Sequence, residues 1–147
     1  MTQRAEGVHF GHWMRHGGMY PEKQPRLFQR GKGSFSLEHV HASLDVDGKV
    51  GELTEPFLHY SYDSVSAFLK KMDTYTTFQA EIWRKRGLAW SFGNHWKYGL
   101  VRPFLRFGQK YIYLQGFRDG FLGFFAGIMS AVSEFIAYVK IEAQHED

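Results

Sequence analysis

Around Phe35 and Leu37 apolar side chains alternate with polar ones; from Asp63 onward they recur at helical spacing. Residues 1–25 read as irregular, with Gly17-Gly18 and Pro21 as breakers. "RLFQR", 26–30, has the pattern of a short strand ended by the turn "GKG". In "SFSLEHVHASLDVDGKVGEL" Phe35 and Leu37 alternate with polar neighbours, and Asp47-Gly48 is a hairpin-turn signal. "PFLHYSY", 56–62, predicts another short strand or an extended entry to a helix.

The clearest helix is "DSVSAFLKKMDTYTTFQAEIWRKRG". Val65, Phe68, Leu69, Met72, Tyr75, Gln79, Ile82 and Trp83 fall near one face, mostly apolar at helical period. Asp63 is the expected N-cap, and Gly87 the stop after Arg84, Lys85 and Arg86. Residues 88–99 read as a Gly-punctuated aromatic connector. A second helix is expected from about Leu100, with Pro103 in its first turn. On it Arg102, Arg106 and Lys110 form one stripe, with Phe104, Leu105, Tyr111 and Ile112 roughly opposite. A third, strongly apolar helix follows. Its uncharged run, Phe121 to Ser133, is 13 residues, where a membrane span needs roughly 20. The pattern predicts an α+β fold: short antiparallel strands and a hairpin, then two or three helices, the C-terminal ones amphipathic.

A chain of 147 residues with 44% hydrophobic content is enough for one ordinary domain and excludes general disorder. It has no cysteine, which excludes disulfides and thiolate metal sites. Residues 1–20 have no long apolar core, so no secretory signal is read. Charge is segregated. Residues 83–118 hold eight Lys/Arg, no Asp or Glu, and ten aromatics. Such a block suggests an anionic partner. Nucleic acid would use the cations on phosphates and the rings under bases. The apolar Phe-rich segment that follows favours a membrane interface instead, with Arg102, Arg106, Lys110, Trp96, Phe104, Phe121 and Phe124 as contacts. The rival is that the apolar helix is simply core.

Candidate chemistry is sparse. His9, His12 and His16 would share a helix face, but the surrounding glycines disfavour a helix and so a metal site there. "DVD", Asp45 to Asp47, has the letters of a cation-holding D-x-D, yet Gly48 follows at once and a solvated turn is the better reading. His39 and His41 share a strand face and could ligate a metal, contact phosphate or simply pack. Glu22 is the one acid between Gly7 and Leu37, near Arg15, Lys23 and Arg26, which favour its ionised form. It could be a general base or an exposed turn residue; spacing does not choose.

"WMRHGGMYPEKQPRLFQRGKG", "HVHASLDVDGKVGEL", "FLHYSYDSVSAFLKKMDTYTT" and the aromatic-basic tail, in that order, resemble the C-terminal part of bacterial family 2 glycosyltransferases of the lipopolysaccharide-core type. The resemblance spans nearly the whole chain. It implies a partial glycosyltransferase fold: residues 1–62 on the acceptor side of the catalytic domain and 63–147 a helical membrane-associating tail. The family's nucleotide-sugar-binding half, with its D-x-D, lies upstream, so a fragment inactive on its own is expected. By position Glu22 stands where the family usually has Asp and would deprotonate the acceptor hydroxyl. Arg15, His16, Tyr20, Gln24, Arg26, His59 and Tyr60 would bind substrates, with Arg26 near the diphosphate, and His41 would sit near the metal or the diphosphate. Ala42 stands where the family commonly has Glu. A divalent cation, Mg or Mn, would be held mainly by the other half. The implied partners are a nucleotide-sugar donor, a lipid-linked or glycan acceptor and an anionic membrane surface, with no nucleic acid. The implied place is the cytoplasmic face of the bacterial inner membrane, peripherally bound. The alternative is a non-enzymatic membrane-interface or partner-binding module.

Overall fold

The computed structural model of the chain describes residues 1–36 and 43–143. It has the α+β architecture: strands β1 (Thr2–His9), β2 (His12–Trp13), β3 (Glu22–Pro25), β4 (Gly33–Ser36), β5 (Ser43–Val46) and β6 (Glu52–Tyr62), then helices.

The organising strand is β1, in a stretch whose sequence reads as irregular. Its buried positions are Ala5, Gly7 and His9. Small and polar residues at the inward places hide the period of two that larger apolar side chains would display. β6 runs parallel along one edge of β1, from Thr2↔Glu52 to His9↔Tyr62, with register shifts after Gln3 and Val8. β3 and β2 share the other edge, both antiparallel. The parallel pair adds to the antiparallel ones expected. The strand expected at 26–30 lies earlier, at 22–25, because β1 ends there: beyond Pro25 the amides of Arg26 and Leu27 both donate to the Met1 carbonyl. Asp47-Gly48 is not a hairpin turn. β4 and β5 pair from Gly33↔Val46 to Ser36↔Ser43, so that dipeptide follows the pair and leads to β6 in the other sheet.

Helix α1 (Val65–Lys85) is capped by Ser64, not Asp63: the Ser64 hydroxyl accepts from the Ala67 amide at 3.1 Å. Gly87, at φ 78°, takes the left-handed turn after its end. Helix α2 (residues 92–113) begins well before Leu100. It alternates α turns (Phe92–Asn94, Arg102–Phe107) with π turns (His95–Val101, Gly108–Tyr113). That alternation matters. In an α-helix four residues overshoot one turn by roughly 40°, and a π turn holds more than four residues and so undershoots. Combined, they keep every fourth residue on one side. Phe92, Trp96, Leu100, Phe104 and Ile112 are all exposed, while Tyr98, Arg102, Arg106 and Lys110 face inward. Tyr111, expected opposite the basic stripe, is half-buried against Phe107.

A 3₁₀ turn (Gly116–Asp119) leads into α3 (Gly120–Ala143), on which α1 and α2 both pack. The helical core joins Ala80 and Trp83 of α1 to Ala137, Tyr138 and Ile141 of α3, with Leu88 and Tyr98 against it. Trp90 stacks on Tyr138 at 5.0 Å, and Tyr138 Oη lies 2.8 Å from His95 Nδ1. Lys140 Nζ, 2.6 Å from Asp73 Oδ1 and 2.8 Å from Thr77 Oγ1, ties α3 to α1. Truncating the largest side chain of this core, Trp83→Ala, is expected to destabilise the chain by about 3–5 kcal/mol, read as a lower midpoint of denaturant unfolding.

Candidate functional site

The segment between β2 and β3 folds back on the end of α2. Gly17 and Gly18 take φ of 66° and 74°, open to glycine at little cost. The Gly17 amide donates to the Leu114 carbonyl at 2.8 Å. The His16 amide donates to Asp119 Oδ2 at 2.7 Å, and His16 Nδ1 lies 2.8 Å from Asp119 Oδ1. A carboxylate only accepts, so this contact holds a proton on Nδ1 and leaves Nε2 as the other ring atom for a ligand. Gly116 is buried beneath. A methyl there would meet the Lys110 carbonyl oxygen at 2.7 Å and Gly17 Cα at 3.5 Å. Two glycines, far apart in sequence, thus let two backbones touch.

Lys110, read as a membrane contact, reaches this loop: a Cβ on Gly18 would lie 3.1 Å from its Nζ. Burial, and then Arg106, push its pKa below the ordinary lysine value. Arg102 Nη2 and Arg106 Nε lie 3.1 and 4.0 Å from the Glu134 carboxylate on α3. The basic stripe therefore looks toward α3, while Phe104 (76% exposed), Tyr113 (81%) and Phe121 (80%) look out. Trp96 is exposed with them, and Phe124 lies at their edge, packed on Phe107 and Tyr111. The helical segment Gly116–Ile141 is long and apolar enough to cross a membrane, although its uncharged run alone reads as too short. Buried core helices pass that test too; α3 packs on both neighbours, yet only 22% of its apolar window is buried.

The other candidate residues divide between places. Arg15 lies over the Trp13 ring at 3.8 Å, and Trp13 meets Tyr20 edge-on at 6.0 Å. These three stand beside His16 on the docked loop. Arg26 lies over the Phe57 ring at 3.8 Å, and His59 is edge-on to the same ring. Gln24, on β3, is paired with Gln3 of β1. His59 and Tyr60, adjacent on β6, point to opposite sheet faces, and Tyr60 is exposed. The backbone of Glu22 pairs with Ala5 on β1; its side chain, like all of His39, His41 and Ala42, lies outside the described residues. Asp47 is 85% exposed and pairs with Lys32. His9 and His12 are paired across β1 and β2 rather than stacked on a helix. Among the described residues no group of three or more His, Cys, Asp or Glu could hold a metal ion. They supply no donor set for a divalent cation.

Asp119, Gly116 and Leu114 carry no sequence signal as partners of the "RHGG" stretch. Their contacts span about a hundred residues of chain, and only the topology reveals them. Gly116→Ala is expected to push the Gly17 loop off its seat and cost about 1–3 kcal/mol. Hydrogen exchange should report it as lost protection at the Gly17 amide, with the α1–α3 core unaffected.

No protein-family model matches the chain, and no solved structure matches it.

Proposed function

We propose that this chain is the acceptor-side and membrane-attaching part of a glycosyltransferase of the bacterial family 2 type. It would move a sugar from a nucleotide-sugar donor to a lipid, lipopolysaccharide or polysaccharide acceptor at the cytoplasmic face of the inner membrane. The ordered motifs carry the resemblance. One observation carries the membrane reading: the outer face of α2 is largely apolar, with Phe92, Trp96, Leu100, Phe104 and Ile112 exposed, while Arg102, Arg106 and Lys110 turn inward. A solvated helix has the reverse arrangement. The exposed Lys97 and Arg118 flank that face, with no acid between Glu81 and Asp119. Because His16 and Gly17 are hydrogen-bonded to Asp119 and Leu114, the motif loop would be held at a fixed height above the lipid.

In this reading Glu22 takes the proton of the acceptor hydroxyl as the sugar is transferred with inversion. His16, Arg15 and Tyr20 line the acceptor path, and Arg26 reaches toward the departing diphosphate. The protein's contribution is to hold donor and acceptor in line.

Two measurements test this. In vesicle flotation, Phe104→Ser with Ile112→Ser should abolish binding, whereas Lys97→Gln with Arg118→Gln, which leaves the Glu134 pairs intact, should leave most of it, and salt should weaken it only slightly. Binding that vanishes in salt, or survives loss of the apolar pair, contradicts the attachment. In membranes carrying the intact transferase, Glu22→Gln should slow sugar transfer about 100-fold or more with vesicle binding unchanged. Unaltered transfer leaves the non-enzymatic module as the better reading.

A further inference from the structure

Three adjoining cavities run along α3, the first between it, α1 and the ends of β1 and β6, the second between α1, α2 and α3, and the third between α2 and α3, and their linings change in one direction. The innermost, about 190 Å³, lies under the motif loop and is apolar, walled by Phe10, Met14, Met19, Phe68, Phe125 and Met129. The middle one, about 250 Å³, shares Tyr75, Ser130 and Ser133 with the first and adds Thr76 and Gln79. The outermost, about 330 Å³, shares Arg106 and Glu134 with the middle one and adds Arg102 and Gln109. The groove thus grades from hydrocarbon through hydroxyls to guanidinium.

At the cationic end positive charge is in excess. Glu134 is the carboxylate facing both arginines. It holds Arg102 at 3.1 Å but Arg106 only at 4.0 Å, and Arg106 Nη1 donates to Gln109 at 3.2 Å. A guanidinium so loosely engaged is available for bidentate contact with a phosphate oxygen pair. At the other end, methionines provide an adaptable wall for a flexible chain.

We propose that this groove binds an amphiphile with an anionic phosphate head and a hydrocarbon chain: the head on Arg106 and Arg102, the chain running past the hydroxyls into the methionine-lined cavity. The site is separate from the acceptor loop's chemistry and does not rest on sugar transfer. A bound lipid phosphate would fill the space beneath Met14 and Met19 and so brace the motif loop from below.

Calorimetric titration of the full chain with dodecyl phosphate below its micelle threshold tests this. One saturable site per chain is expected. Dodecyltrimethylammonium, with the same chain and opposite charge, should not compete. Inorganic phosphate should bind at least about 100-fold more weakly, which separates a lipid head from a free anion. Arg106→Gln, a half-exposed site tolerant of substitution, should weaken binding about tenfold, and Ser130→Leu should do the same by blocking the passage. Lys97→Gln, on the outer face, should change nothing. Equal binding of the ammonium amphiphile, equal binding of inorganic phosphate, or an Arg106→Gln protein indistinguishable from the parent overturns the proposal. None of these readouts involves sugar transfer, so a failed transfer assay leaves the groove standing, and an empty groove leaves the transferase reading standing.

Discussion

One carboxylate fixes which way α2 faces. Glu134, largely buried on α3, draws Arg102 and Arg106 inward. With the charged side turned to α3, the aromatic and aliphatic side has nowhere to go but outward. The arginines are each about two-fifths exposed, so the pairs themselves are worth little as isolated salt bridges. Their weight lies in orientation. Turning α2 over would bury its apolar face but strand Glu134 without a cation, and a part-buried carboxylate without a partner is costly. The π turns complete the device by keeping the two faces on opposite sides over more than twenty residues.

From that orientation the rest follows by contact. The end of α2 presents Leu114, Gly116 and Asp119 to the motif loop, and the loop's glycines allow the close approach. The glycine pair in "RHGGMYPEK", easily taken for flexibility, serves here for packing between backbones. The same loop roofs the methionine-lined cavity from its other side. Loop, outer apolar face and inner groove are therefore three surfaces of one unit.

Much of the fold is legible in the sequence where side chains are large and periodic. α1 and α3 announce themselves through spacing, whereas the end of β6, 56–62, reads equally as a strand or as an extended entry to a helix. β1 does not, since its inward residues are Ala5, Gly7 and His9. The first half of α2 is also hidden, because Gly93 and Gly99 look like loop punctuation and a period of four fits neither strand nor ordinary helix. Yet that period is written plainly, as Phe92, Trp96, Leu100, Phe104 and Ile112, once a mixed α and π helix is allowed. The basic stripe is visible from sequence, but its direction is not: only Glu134, about thirty residues on, turns it inward. The site is less legible than the fold. His16 is marked by its motif, whereas its partner Asp119 is set by topology alone.

The central claim is that the outward apolar side of α2, and not its arginines, meets lipid. The chain has no cysteine, so single spin labels can be placed without background. Labels at positions 104 and 113, compared with one at 109 at the edge of the face, would be read for depth by accessibility to oxygen and to an aqueous nickel chelate. On adding phosphatidylcholine vesicles, the account predicts that 104 and 113 become oxygen-accessible and chelate-shielded, while 109 stays near the headgroups. Labels at 104 and 113 that remain open to the chelate with vesicles present would contradict it.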